Sequence, residues 1–258
     1  MTLAQYFSLV DIQARMALKS DASKYVLNYL WWILEPLLYV CVFYVVFNII
    51  LDSKRGDFMM FLMCGKLPFM WFTKSVNQAS TSIVSNAGLI GKIDIPKTIF
   101  PMGVIQEGLY KQSAVFVLLF GTLLATGYSV SVTWLWIIPI VFVNYLMIVA
   151  CGFIGACLVC FIRDFALLIS LGMVFLMFTS GIFWDVRTLS DPAMSELLLT
   201  VNPMAFMLDA YRGVLMYGVR PDLVHLLLIG LGFGGIIGLM VLFMRKTSQL
   251  LALKTLTA

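Results

Sequence analysis

Charge is what this chain has least of. Only 12% of its 258 residues are Asp, Glu, Lys or Arg, and residues 112–162 carry no formal charge at all. Soluble domains carry about a quarter charged residues to cover their surface, so a water-soluble fold is excluded. Histidine is nearly absent too. The sole one, His225, has only Asp222 near it in sequence, which leaves no ligand set for a metal. The five cysteines (Cys41, Cys64, Cys151, Cys157 and Cys160) all fall in apolar stretches and read as small buried hydrophobes, not a disulfide framework. Cys157 and Cys160 match the redox CxxC spacing, but Arg163 is the only basic neighbour to activate a thiolate.

Catalytic signatures are missing as well. No G-x-x-x-x-G-K-[ST] occurs, and Gly88-Leu89-Ile90-Gly91-Lys92 fails its spacing, so the chain should not bind ATP itself. No GxSxG or HExxH is present, and carboxylates within apolar stretches are few, chiefly Glu35 and Glu107. The run Gly230-Leu231-Gly232-Phe233-Gly234-Gly235 formally matches a dinucleotide fingerprint but lies mid-way through an apolar 22-mer. There its glycines read as small-residue helix contacts at 230/234 and 234/238. The net charge of +4 is scattered along the chain, which argues against nucleic acid as a partner. Asp11, Arg15, Lys19, Asp21 and Lys24 precede any sustained apolar run, so no cleaved leader is expected.

What is abundant is apolar sequence: 62% hydrophobic residues, with a mean hydropathy of +1.00. A bilayer core about 30 Å thick takes roughly 20 helical residues, and the pattern predicts an all-α integral membrane protein with six spans over 29–51, 58–84, 102–126, 133–161, 165–184 and 223–244. Leu3, Phe7 and Val10 share a face, so residues 1–24 read as an amphipathic helix on the membrane surface. Residues 85–101 read as a turn-rich loop, and 185–222, with three prolines, as a non-spanning excursion of short helices. With both termini cytoplasmic, nine basic residues lie inside and five outside, which selects that orientation.

Glu35 is a functional candidate because a carboxylate is costly in hydrocarbon. Trp32, Tyr39, Phe43 and Tyr44 give the first span an aromatic face suited to stacking on sugar C–H surfaces, with facing lipid as the plainer account.

Asn28-Tyr29-Leu30-Trp31-Trp32-Ile33-Leu34-Glu35-Pro36, then Gly88 through Lys97, then Asn202-Pro203 and Tyr211-Arg212 together resemble an ABC-2 family permease. The likeness is greatest to the polysaccharide exporters of O-antigen, capsule and teichoic acid. It implies a single transmembrane domain over 1–258 that forms a homodimer in the bacterial inner membrane, is not itself an enzyme and exports a lipid-linked glycan. Two copies of a separately encoded ATPase, holding ATP and Mg, would dock on the 85–101 loop through Gly91, Lys92, Asp94, Pro96 and Lys97. Trp32, Glu35, Tyr39, Phe43 and Tyr44 would line the translocation path, and Asn202, Pro203, Tyr211 and Arg212 would stand at an extracytoplasmic gate. Rival readings are an ABC-2 exporter of a drug or peptide, an ion-coupled secondary transporter, and a membrane enzyme acting on lipid-linked sugars. The last two need convergent titratable groups that this sequence does not offer.

Overall fold

The computed structural model describes residues 2–24, 28–50, 56–92 and 95–257. Asp94 and the side chain of Phe43 lie outside the described residues. All regular structure among the described residues is helical. The helices are α1 (Leu3–Ala22), α2 (Trp31–Tyr44), α3 (Phe58–Ser85), α4 (Ala87–Ile90), α5 (Ile99–Ala125), α6 (Ile137–Phe161), α7 (Phe165–Thr179), α8 (Pro192–Val201), α9 (Pro203–Leu215), α10 (Leu223–Lys246) and α11 (Ser248–Thr257). A single-turn 3-10 segment leads into α2, whose helix runs on through Pro36 and widens into a π-helical stretch at Val45–Ile50.

Among the described residues three helices are long and apolar enough to cross a bilayer: Ile99–Ala125, Val132–Phe161 (α6 with its leading 3-10 turn) and Leu223–Lys246. The remaining three expected spans differ, each for a physical reason. α3 is the hub of the bundle, with α6 and α5 packed along it and Phe61, Leu62, Met63, Leu67, Phe69 and Ile83 fully enclosed. Packing against α6 and α5 encloses its Lys66, Ser75 and Ser80 in protein, while Lys74 and Gln78 remain exposed on the face that α6 does not cover. α2 and α7 are shorter apolar helices.

The early end of α7 corrects the expected 165–184 span. The helix stops at Thr179, and Gly181 takes a positive φ of 71°, which glycine adopts without strain. Arg212 closes the turn from α9: Nη1 donates to the Gly181 carbonyl at 2.7 Å, Nη2 to Ile182 at 2.9 Å, and Nε to Phe61 on α3 at 3.2 Å. Its guanidinium lies 3.5 Å over the Phe61 ring. One buried cation thus satisfies three carbonyls and joins three elements.

Asn202 performs a related task. Its Oδ1 caps α9 by accepting from the backbone N–H of Met204 and Ala205, its Nδ2 donates to Ser180 Oγ at the end of α7, and Pro203 occupies the first helical turn.

The other end of the chain departs from expectation too. The residues after α10, expected as a polar tail, form α11, which seats Leu251 and Thr255 against α4 and α6. The Thr255 hydroxyl stands 3.6 Å from Cys160 Sγ. Of the small-residue face read on α10, Gly230 faces Val143 of α6, 3.3 Å from where a Cβ would stand, whereas Gly234 and Gly238 meet nothing among the described residues, so only its first glycine serves packing within the protomer.

Candidate functional site

α1 is held against α5 by polar contacts that its sequence supplies at helical spacing. Tyr110 donates to Asp11, and Lys111 on α5 reaches Asp21 at 2.6 Å. Burial pushes the Asp21 carboxyl up, but the hydrogen bond and charge of Lys111 outweigh it and hold the group below the usual carboxylate range. A depressed carboxyl pKa supports docking above the unfolded value, and that support is lost as the pH falls through the lowered one.

Where α1 ends, α2 begins beside α3 and α5, and the four helices enclose a cleft of about 340 Å³. Trp31, Trp32 and Glu35 come from the start of α2, Trp71, Lys74 and Gln78 from one face of α3, and Lys111 and Gln112 from α5. Its charges are paired inside the chain. Lys74 Nζ lies 2.6 Å from Glu35, while Lys111 bridges Asp21 and Glu107 and sits 5.5 Å above the Trp32 ring. Behind the wall, Trp71 Nε1 and Gln112 Nε2 are buried donors with no acceptor among the described residues. Trp71 stacks on Tyr145, and Phe116 continues the aromatic layer to the buried Tyr211. The Tyr211 hydroxyl lies near Asn144 without hydrogen-bond geometry.

The structure brings together only part of the expected path. Trp32 and Glu35 share the cleft; Tyr39 is 47% exposed on the outer face of α2, and Tyr44 packs half-buried against the core. Lys74, Gln78 and Gln112 were missing from the sequence reading, although Trp71, Lys74, Ser75 and Gln78 recur at spacings of three and four on α3.

In the expected docking loop, Gly91 and Lys92 are exposed in the turn after α4 and Pro96 is exposed beyond it, whereas Lys97 is only 4% exposed and faces inward beside Thr98. Of the expected gate residues, Tyr211 and Arg212 are interior, because α9 is buried against α3 and α6. His225 stacks on Phe206 with ring centroids 4.4 Å apart.

The Glu35–Lys74 pair makes a prediction that needs no knowledge of the cargo. Both side chains are half-exposed, so the pair contributes ~1 kcal/mol at most. Lys74→Glu should lower the thermal midpoint in detergent by about 2–4 °C. Adding Glu35→Lys should restore it, and failure of that rescue would show the contact to be incidental.

Residues 23–216 match the family model of the ABC-2 type transporter. The chain belongs to that family. Among relatives of this ABC-2 chain, the O-antigen export system permease protein RfbA of Klebsiella pneumoniae is 28% identical over 219 residues, covering 84% of this chain and 83% of that protein. A second Klebsiella pneumoniae protein of the same name is 27% identical over 218 residues, with the same coverage. The RfbA permease of Myxococcus xanthus is 25% identical over 224 residues, covering 85% of each chain. This ABC-2 chain is therefore a multi-pass membrane permease, the transport component of an exporter that works with an ATPase.

Proposed function

We propose that the chain is the transmembrane subunit of an ATP-driven exporter that carries a lipid-linked polysaccharide, with O-antigen the first candidate, across the bacterial inner membrane. The observation that carries this reading is the cleft between α1, α2, α3 and α5. It combines indole faces with amide groups, and its lysines and carboxylates neutralise one another. A sliding glycan needs such a wall, because stacking tolerates displacement and unpaired charges would hold a passing ligand too tightly. The names borne by the Klebsiella and Myxococcus relatives agree with this cargo.

In this reading both termini are cytoplasmic and two copies of the chain form the conduit. Tyr39, Phe43 and Tyr44 extend the path from Trp32 and Glu35, and two ATPase subunits holding ATP and Mg dock on the loop around Gly91, Lys92, Asp94 and Pro96. The chain itself hydrolyses nothing. Asn202 and Arg212 fasten the extracytoplasmic hairpin on which an outer gate would hinge. Capsule, teichoic acid, drug or peptide cargo on the same scaffold is the alternative, and ion coupling a more distant one.

The test is export in a strain lacking its own permease. The chain should restore surface polysaccharide, and Trp32→Ala with Gln78→Ala should cut it about ten-fold, equivalent to ~1.4 kcal/mol of lost contact. Membrane level and co-purification of the ATPase should stay normal. Undiminished surface polymer in that variant would return the cleft to a packing role.

A further inference from the structure

We propose that the hollow between α8, α9 and the start of α10 is a binding site for the phosphoethanolamine headgroup of a phospholipid. This site is separate from the glycan cleft and does not depend on the cargo. The hollow measures about 290 Å³, at the small end of the range for a bound molecule and too small for a polymer. Arg220 and Glu196 stand in its lining with opposite charges, and among the described residues neither side chain has an ion pair or a hydrogen bond. The other charges there are committed. Arg187 and Asp209 form a two-pronged pair at 2.8 and 2.7 Å, and Asp222 Oδ1 accepts from the backbone N–H of Val224 and His225.

Local structure fixes these two groups. Gly218 takes a positive φ of 64°, which lets the chain reverse after α9, and the Val219 N–H closes that turn on the Gly213 carbonyl at 2.8 Å. Arg220 follows directly, before Asp222 caps α10. Glu196 lies one turn from Thr200 on α8, so both reach the hollow. The Phe206 ring of α9, stacked on the His225 imidazole, ties the wall of the hollow to α10. A guanidinium pairs with phosphate through parallel N–H donors, and a carboxylate accepts from a primary ammonium. A ligand that carries both groups a short link apart satisfies Arg220 and Glu196 at once, whereas a simple anion or cation satisfies one of them.

The flanks of the hollow select a lipid over a soluble zwitterion. α10 is long and apolar enough to cross a bilayer, and the hollow lies where it begins, at a membrane surface. Val224, Leu227 and Leu228 are exposed along one face of α10. Met194, Leu197 and Val201 are exposed along α8, on the side away from Glu196 and Thr200. Apolar faces on both sides of a charged hollow receive acyl chains while the hollow holds the headgroup. The primary ammonium of phosphoethanolamine offers three N–H donors to Glu196. A choline headgroup offers none, and a glycerol headgroup carries no positive charge.

Native mass spectrometry of the purified full chain in detergent, titrated with phosphatidylethanolamine, phosphatidylcholine or phosphatidylglycerol, tests the assignment. The wild type should retain phosphatidylethanolamine at about ten-fold lower concentration than either of the others. Glu196→Gln with Arg220→Gln, which leaves the net charge unaltered, should abolish the preference, and each change alone should weaken it. Both side chains are exposed, so their replacement leaves the packing intact. Asp164→Asn, which removes an exposed carboxylate in the turn between α6 and α7, should keep the preference. Equal retention of the three lipids by the wild type, an unchanged preference in the double variant, or equal loss in Asp164→Asn would overturn the site. Displacement of the lipid by an equal concentration of soluble phosphoethanolamine would assign the hollow to a free zwitterion and overturn the lipid reading.

Discussion

Replacing Arg212 with alanine is expected to lower the thermal midpoint of the detergent-purified chain by about 10 °C and to reduce the amount recovered from membranes. Three carbonyls lose their donor at once: Phe61 on α3, and Gly181 and Ile182 in the turn after α7. Buried acceptors left without partners cost about 1–3 kcal/mol each, part of which relaxation recovers, so a net ~3–5 kcal/mol is expected. For a chain of this length each kcal/mol moves the midpoint by about 2–4 °C. Arg212→Lys keeps the charge but cannot present a planar fork to three acceptors, and should recover less than half of the loss. The guanidinium also lies against Gly65, where a Cβ would collide with it, so Gly65→Ala should reproduce part of the effect. An Arg212→Ala chain that melts like the wild type would show that the α7 turn is held by something else.

The second large effect is expected at Gly155 on α6. This glycine and Gly152 let α6 approach α3 closely: a Cβ at 152 would stand 3.0 Å from Ala79, and one at 155 would overlap the Ser80 side chain. The α3–α6 contact is the backbone of the bundle, so a leucine at 155 cannot be accommodated by moving a surface element. Overpacking costs about 1–3 kcal/mol, and a branched side chain against a neighbouring helix lies at the upper end. Gly155→Leu should therefore melt about 6–12 °C lower. Gly234→Leu on α10 is the counter-case: the same change where nothing lies within 4 Å should leave the midpoint within ~0.5 kcal/mol of the wild type. Equal behaviour of the two variants would refute close packing as the reason for Gly155.

The long apolar helices were legible because lipid imposes composition directly, and residues 112–162 could be divided correctly at Thr126-Gly127-Tyr128. The end of α7 was not, because Gly181-Ile182-Phe183-Trp184 continues the apolar run, and the residue that closes the turn lies 31 positions away. α11 was hidden for the opposite reason: its buried Leu251 and Thr255 are diluted by polar neighbours, and only α4 and α6 give them something to bury against. In the cleft, Trp32 and Glu35 were visible as aromatic and charged residues in apolar surroundings. Lys74, Gln78 and Gln112 were not, since a polar residue within a long apolar segment does not reveal which helix it faces, and these three converge only when α3 and α5 pack beside α2. Lys97 misled because a lysine in a short loop defaults to solvent, whereas here it is buried in the turn that starts α5.

The shortness of α7 has a consequence for the lipid around the protein. Fifteen residues rise about 22 Å, against about 30 Å of hydrocarbon, whereas the twenty-four of α10 rise about 36 Å. No residue of α7 is buried within the protomer, so this helix meets its surroundings along its whole length. Lipid in contact with it must shorten to match, at a cost of fractions of a kcal/mol per ångström, while lipid beside α10 stays at full thickness or α10 tilts. The apolar height of the molecule is therefore uneven around its perimeter, low at α7 and tall at α10.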